Sequence, residues 1–162
     1  MEMTENQRFI MVGERPTAHA KIYGSDNCKK LTGLLYLFPA QGGTIVWVEL
    51  REVTDTDGKP AQGFRGFHIH EGGACTGNEQ DPFADAGGHY NPTGQEHPDH
   101  AGDLPPVLVC NGYAWMQVYT SRFRPEEVVG RTVIVHGMPD DLHTQPAGDS
   151  GVRLGCGLIE PM

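Results

Sequence analysis

The sequence predicts an all-β domain, built as a sandwich or barrel of short strands. Two observations carry this. First, the apolar segments are short and each is closed by a turn signal, and the only convincing helical fragment, "RPEEVVG" (124–130), is a single turn at most. Second, 22 glycines and 12 prolines accompany an apolar fraction of 38%, which fits a turn-rich β-protein better than a helical bundle. A chain of 162 residues is long enough to bury a real core and suits one domain over 1–162, with residues 1–15 as an N-terminal extension, flexible or forming an extra strand.

The strands follow in order. They are expected at 17–23 ("TAHAKIY"), 32–38 ("TGLLYLF"), 43–51 ("GTIVWVELR") and 64–70 ("FRGFHIH"). Four more follow at 106–110 ("PVLVC"), 113–120 ("YAWMQVYT"), 131–136 ("RTVIVH") and 152–159 ("VRLGCGLI"), making eight. Between the fifth and sixth stands Asn111-Gly112, the strongest short hairpin signal, which calls for a two-residue type I′ turn. "TDTDGKPAQG" (54–63) is a connecting loop by composition. Residues 71–105 and 137–151 break the strand rhythm with long stretches of Gly, Asp, Pro and His. Structureless segments of that length in a compact domain are commonly functional.

Charge and hydropathy exclude several classes. The net charge of −9 argues against nucleic acid and anionic membranes as partners. No apolar run approaches the ~18 residues that span a bilayer. The start, "MEMTENQRFIMVGERP", is acidic and polar where a signal peptide would be basic and then apolar, so the chain reads as cytoplasmic, or as an exported form already freed of its leader. A homodimer is compatible with the sequence, which carries no clear signature of it. Cys28, Cys75, Cys110 and Cys156 are too widely spaced for a thiolate zinc knuckle.

Histidine is the unusual resource. In "GFRGFHIHEGGACTG" (63–77), His68 and His70 lie two apart in a strand, so both imidazoles share one face while Ile69 points into the opposite layer. The first long loop then adds His89, His97, His100 and Asp103, and His136 closes the strand "TVIVH". Six imidazoles and one short carboxylate are donors suited to copper and zinc.

The segments "GFHIHE", "GGHYNP", "HAGDLP", "GRTVIVHGMPDDL" and "GVRLGCGLI", in that order across residues 17–159, resemble the copper/zinc superoxide dismutase family. The resemblance implies an eight-stranded Greek-key β-barrel with two long loops over the active site. It implies copper at His68, His70, His89 and His136, and zinc at His89, His97, His100 and Asp103, with His89 bridging the two metals. Asp140, in "PDDL", matches the family's carboxylate that accepts hydrogen bonds from a copper-ligand and a zinc-ligand histidine, here His68 and His97. Arg153 matches the guanidinium that docks the substrate, superoxide, beside the open copper position. His89 is the expected proton carrier. Cys75 and Cys156 match the family's disulfide, which would contribute about 4 kcal/mol on the chain-entropy model. One departure stands out: only two residues separate His97 from His100 ("HPDH"), where many members have a longer loop.

The implied activity is disproportionation of superoxide to dioxygen and hydrogen peroxide. A copper-storing or copper-delivering protein, or a zinc-stabilised binding module, would use the same ligands without turnover. Neither would need Arg153.

Overall fold

The computed structural model describes residues 15–162, so the extension expected over 1–15 lies, Arg15 apart, outside the described residues. Among the described residues ten strands form: β1 (Ala18–Gly24), β2 (Thr32–Ala40), β3 (Gly43–Arg51), β4 (Gly63–Arg65), β5 (Phe67–His70), β6 (Val107–Val109), β7 (Ala114–Thr120), β8 (Thr132–His136), β9 (Arg153–Leu158) and β10 (Glu160–Pro161). The hydrogen-bonded order is β5-β8-β9-β1-β2-β3-β7, with β10 beside the start of β1 and β4 paired to β6. All pairings are antiparallel. Covalent connections complete the ring, because β6 turns into β7 and β4 runs on into β5. The result is the curled antiparallel barrel expected of the chain.

One of the eight expected strands divides, and one short strand lies beyond the last of them. The run 64–70 breaks at Gly66, whose N–H donates to Met138 and whose carbonyl accepts from His136. A Cβ there would lie 2.6 Å from the Ser150 hydroxyl, so the approach of the second long loop requires glycine. On one side of this point the chain pairs with β6, and on the other with β8. The expected C-terminal run, 152–159, forms β9 alone, and β10 follows it at Glu160–Pro161. The Asn111-Gly112 turn forms as expected, with φ of 50° and 77° and a Cys110–Tyr113 bridge closing it. "RPEEVVG" is a single 3-10 turn over Pro125–Glu127.

Alternation places the core. Leu35 and Leu37 of β2, Val46, Val48 and Leu50 of β3, Ile22 of β1 and Phe67 and Ile69 of β5 are fully buried inside the barrel. Burying each such side chain stabilises the fold by about 1.5–3 kcal/mol. β8 is buried along its whole length because it is covered on both faces. Val133 and Val135 point into the barrel, while Ile134 packs outside it with Cys156, Phe83 and Ala86 beneath the first long loop. The disulfide Cys75–Cys156 ties that loop to β9. No helix of the described residues is long and apolar enough to cross a membrane.

Candidate metal centre

The centre sits on the outer face of β5 and β8, under both long loops. In β5, His68 pairs with Ile134 and Ile69 with Val133, so His68 and His70 emerge on the loop side while Ile69 enters the core. This is the alternation read from the sequence. His136 ends β8 at a register shift, opposite Arg153 at the start of β9. The first long loop returns along the other edge of β5. Tyr90 donates its N–H to Ile69, and Ile69 donates to Gly102, which sets His89 beside His70 and Asp103 beside His68. A Cβ on Gly102 would lie 2.2 Å from the Ile69 carbonyl, which explains the glycine in "HAGD".

Two ligand sets result, and within each the donor atoms lie within 4.8 Å of one another. The first is His68, His70, His89 and His136; the second is His89, His97, His100 and Asp103. All seven residues are buried. His89 belongs to both sets.

Hydrogen bonds fix which nitrogen of each ring is free. His70 donates from Nδ1 to the Gly87 carbonyl at 2.9 Å, and His136 from Nδ1 to the Gly151 carbonyl at 3.3 Å. Their Nε2 atoms are therefore bare, yet face each other at 3.4 Å. Two buried lone pairs so placed repel unless a cation lies between them. His68 and His97 donate from Nε2 to the two oxygens of Asp140, at 2.6 and 2.9 Å. That leaves His68 Nδ1 as a buried atom without a hydrogen-bond partner, and His89 Nε2 is another. Unsatisfied buried nitrogens converging on one point are the signature of an ion-binding cradle.

In the second set, His97 Nδ1 and His100 Nδ1 each lie 3.1 Å from Asp103 Oδ2, and His89 Nδ1 lies 2.7 Å from Oδ1. His89 and His100 are 3.4 Å apart through Nδ1. A tetrahedral ion with bonds of about 2.1 Å has ligand–ligand edges of about 3.4 Å. The short "HPDH" segment thus brings His97 and His100 to the same carboxylate oxygen.

Electrostatics favour uncharged rings at His68, His70 and His136. Burial depresses the pKa of His68 and His70, and it brings His136 down to about 3, with nearby His68 and His89 acting in the same direction on His136. Such rings are neutral at pH 7, the state a metal requires. Burial works against the charge on Asp140, but hydrogen bonds from His68, Leu142 and His97 outweigh it and hold its carboxyl well below the usual range. Asp103 is likewise held ionised: burial opposes its charge, but His89, His97 and His100 prevail. Gly148, at φ 68°, lies against the Asp140–His97 contact, where a Cβ would fall 2.0 Å from Asp140 Oδ1 and 2.6 Å from His97 Nε2.

Against this geometry, the copper/zinc superoxide dismutase (SODC) family profile matches residues 40–159. The chain belongs to the copper/zinc superoxide dismutase family. A superoxide dismutase [Cu-Zn] of Deinococcus radiodurans is 33% identical over 164 residues, covering 90% of this chain and 85% of the relative. Another, of Photobacterium leiognathi, is 32% identical and covers 81% and 80%. Among solved structures, the Cu/Zn superoxide dismutase from Brucella abortus matches with a TM-score of 0.74 at 29% identity, covering 88% of this chain and 99% of that one.

Arg153 stands beside the first set. It donates to the Phe83 and Gly87 carbonyls at 2.8 Å each, so Gly87 serves both this guanidinium and His70. Its Nε lies 3.5 Å from Asp81, a partner no motif signalled. A cleft beside His136 is lined by the second loop from Thr144 to Gly151, including Asp149 but no lysine or arginine. His143 is exposed and donates to the Asp141 carbonyl. Sequence reading also missed Gln145 and Arg122, which grip the backbone of the segment that carries His97 and His100. Contacts to main chain leave no residue pattern to find.

Proposed function

We infer that the chain disproportionates superoxide to dioxygen and hydrogen peroxide, with copper at His68, His70, His89 and His136 and zinc at His89, His97, His100 and Asp103. The observation that carries this reading is the position of His89, which turns Nε2 to one ligand set and Nδ1 to the other. An imidazole in that position could serve both metals, and would have to lose both ring protons to do so. Copper held by the first set would supply the one-electron chemistry that the reaction needs, whereas zinc would have no redox role.

The chain's own residues do the rest. His68 and His70 are fixed by strand β5, and His136 by the end of β8, so three of the four copper-side rings stand on rigid elements. Asp140 holds His68 and His97 in the tautomers that bare their Nδ1 atoms. His89 Nε2, buried and without a hydrogen-bond partner, would be the nitrogen that carries a proton to the departing peroxide. Arg153, anchored through two carbonyls, presents a permanent planar cation to an anionic diatomic ligand.

That guanidinium separates this reading from copper storage or delivery, which needs the ligands alone. Protein loaded with copper and zinc should accelerate superoxide decay, and metal-free protein should not. Full metal uptake without accelerated decay would favour storage.

A further inference from the structure

Three ligands of the second set come from one short irregular segment, His97 to Asp103. The segment has few bonds of its own: Asp103 N–H to the His100 carbonyl and His100 N–H to Asp103 Oδ2, with Asp99 N–H reaching back to the Glu96 carbonyl just before it. The His97 N–H and the carbonyls of His97, Pro98 and His100 find partners elsewhere. We propose that Gln145 and Arg122 are positioning residues for zinc, clamping this segment from two separate elements so that its ligands are held in place before the ion binds. The proposal rests on the zinc assignment made above.

The Gln145 contact is the more specific. Its Oε1 accepts the His97 N–H at 2.9 Å, and its Nε2 donates to the His97 carbonyl at 2.6 Å. One side-chain amide thus makes the paired bonds that a neighbouring strand would supply, on a residue belonging to no strand. Swapping oxygen and nitrogen would set donor against donor, so the orientation is determined. Gln145 comes from the second long loop, and with Asp140 on the ring it makes two grips on His97 from that loop: one on the backbone, one on Nε2.

Arg122 works from the opposite side, on the connection after β7. Its Nη1 donates to the Pro98 carbonyl at 2.6 Å and the His100 carbonyl at 3.1 Å, with the Asp103 carbonyl at the limit of 3.5 Å. Nη2 also meets Asp99 at 3.2 Å, but both side chains are well exposed and such an ion pair contributes little. The carbonyl contacts carry the effect, since they fix the turn that brings His97 and His100 to the same carboxylate oxygen.

Both residues are exposed and belong to no core cluster, so the barrel itself does not depend on them. Their loss should appear in zinc binding, because a loosened ligand segment must be ordered by the ion instead. Outer contacts of this kind change metal affinity about 10- to 100-fold.

The test uses copper- and zinc-loaded protein and the variants Gln145→Leu, Arg122→Gln and Arg122→Lys. Zinc and copper release to excess chelator are followed separately, together with melting of the metal-free, disulfide-intact protein. Gln145→Leu and Arg122→Gln should each release zinc about 10-fold faster or more, with copper release and metal-free melting nearly unchanged. Arg122→Lys should lie between Arg122→Gln and the parent. Unchanged zinc release in both Gln145→Leu and Arg122→Gln, with the parent holding zinc tightly, would overturn the clamp alone. Equal losses of zinc, copper and metal-free stability would also overturn it, since they mark a general structural role. A parent that holds no zinc would sink the zinc assignment and the clamp with it.

Discussion

Replacing Asp140 with asparagine tests the shared geometry of the two metal positions, because one carboxylate holds a ring from each. Oδ2 accepts from His68 at 2.6 Å, and Oδ1 accepts from His97 at 2.9 Å and from the Leu142 N–H at 2.7 Å. Asparagine keeps the shape but has one acceptor oxygen for three donors, so one ring must face an NH2 group. A hydrogen bond to a charged group contributes about 1.5–3 kcal/mol. Loss of an outer partner of a metal ligand lowers affinity about 10- to 100-fold, or about 1.4–2.7 kcal/mol. The two rings will not share this equally. His68 stands on β5, paired to Ile134, and keeps its place without the carboxylate. His97 stands on an irregular loop and is free to shift. Asp140→Asn should therefore cost zinc affinity at least 10-fold, and copper affinity distinctly less. Competition with chelators of graded strength, read separately for each metal, gives both numbers. Equal losses of copper and zinc, or a greater loss of copper, would refute the argument that strand placement protects His68.

Other consequences follow from the same geometry. His89→Ala removes a ligand from both sets and should weaken zinc retention as well as abolish activity, whereas His70→Ala should spare zinc; equal zinc retention in the two would show that His89 is not the bridge. Metal-free protein should lose stability on acidification. His136 titrates at about 3 when folded against 6.5 when free, so the unfolded chain binds the extra proton between those values. Its contribution is complete above pH 6.5 and fades towards pH 3, at about 1.4 kcal/mol per pH unit, with His68 and His70 acting in the same direction. Denaturant unfolding from pH 7 to 4 measures this, and flat or rising stability on acidification would contradict it. The rate with superoxide should fall only weakly, or rise, between ~0.01 and ~0.1 M salt, because the chain carries −9 and Asp81 and Asp149 lie near Arg153 and His136. Arg153→Ala should slow turnover more than any salt change, and a steep fall with salt in the parent would contradict this, since it would require strong steering charges near the site.

What the sequence made legible was what obeys a period. Alternation in 64–70 put His68 and His70 outside and Ile69 inside, and the apolar run before His136 marked it as a strand end. The Asn-Gly turn needed only the left-handed tolerance of its two residues. The break at Gly66 was less legible, because its cause is Ser150, more than eighty residues away in the chain. Arg122, Gln145 and Asp81 were not legible at all. Two of them hold loop backbone and the third pairs with Arg153, contacts created only when the loops fold over the barrel. The family motifs pointed to the seven residues that the fold brings together in two sets; the tautomers that bare each nitrogen came only from the carbonyls of Gly87 and Gly151 and from Asp140.

The most direct measurement of the central claim is a titration of copper into zinc-loaded protein, followed by superoxide removal. One bridged site per chain predicts activity rising linearly to one equivalent of copper and then remaining flat, with one zinc retained throughout. Binding of less than half an equivalent of copper, or one full equivalent bound with no superoxide removal, would contradict it.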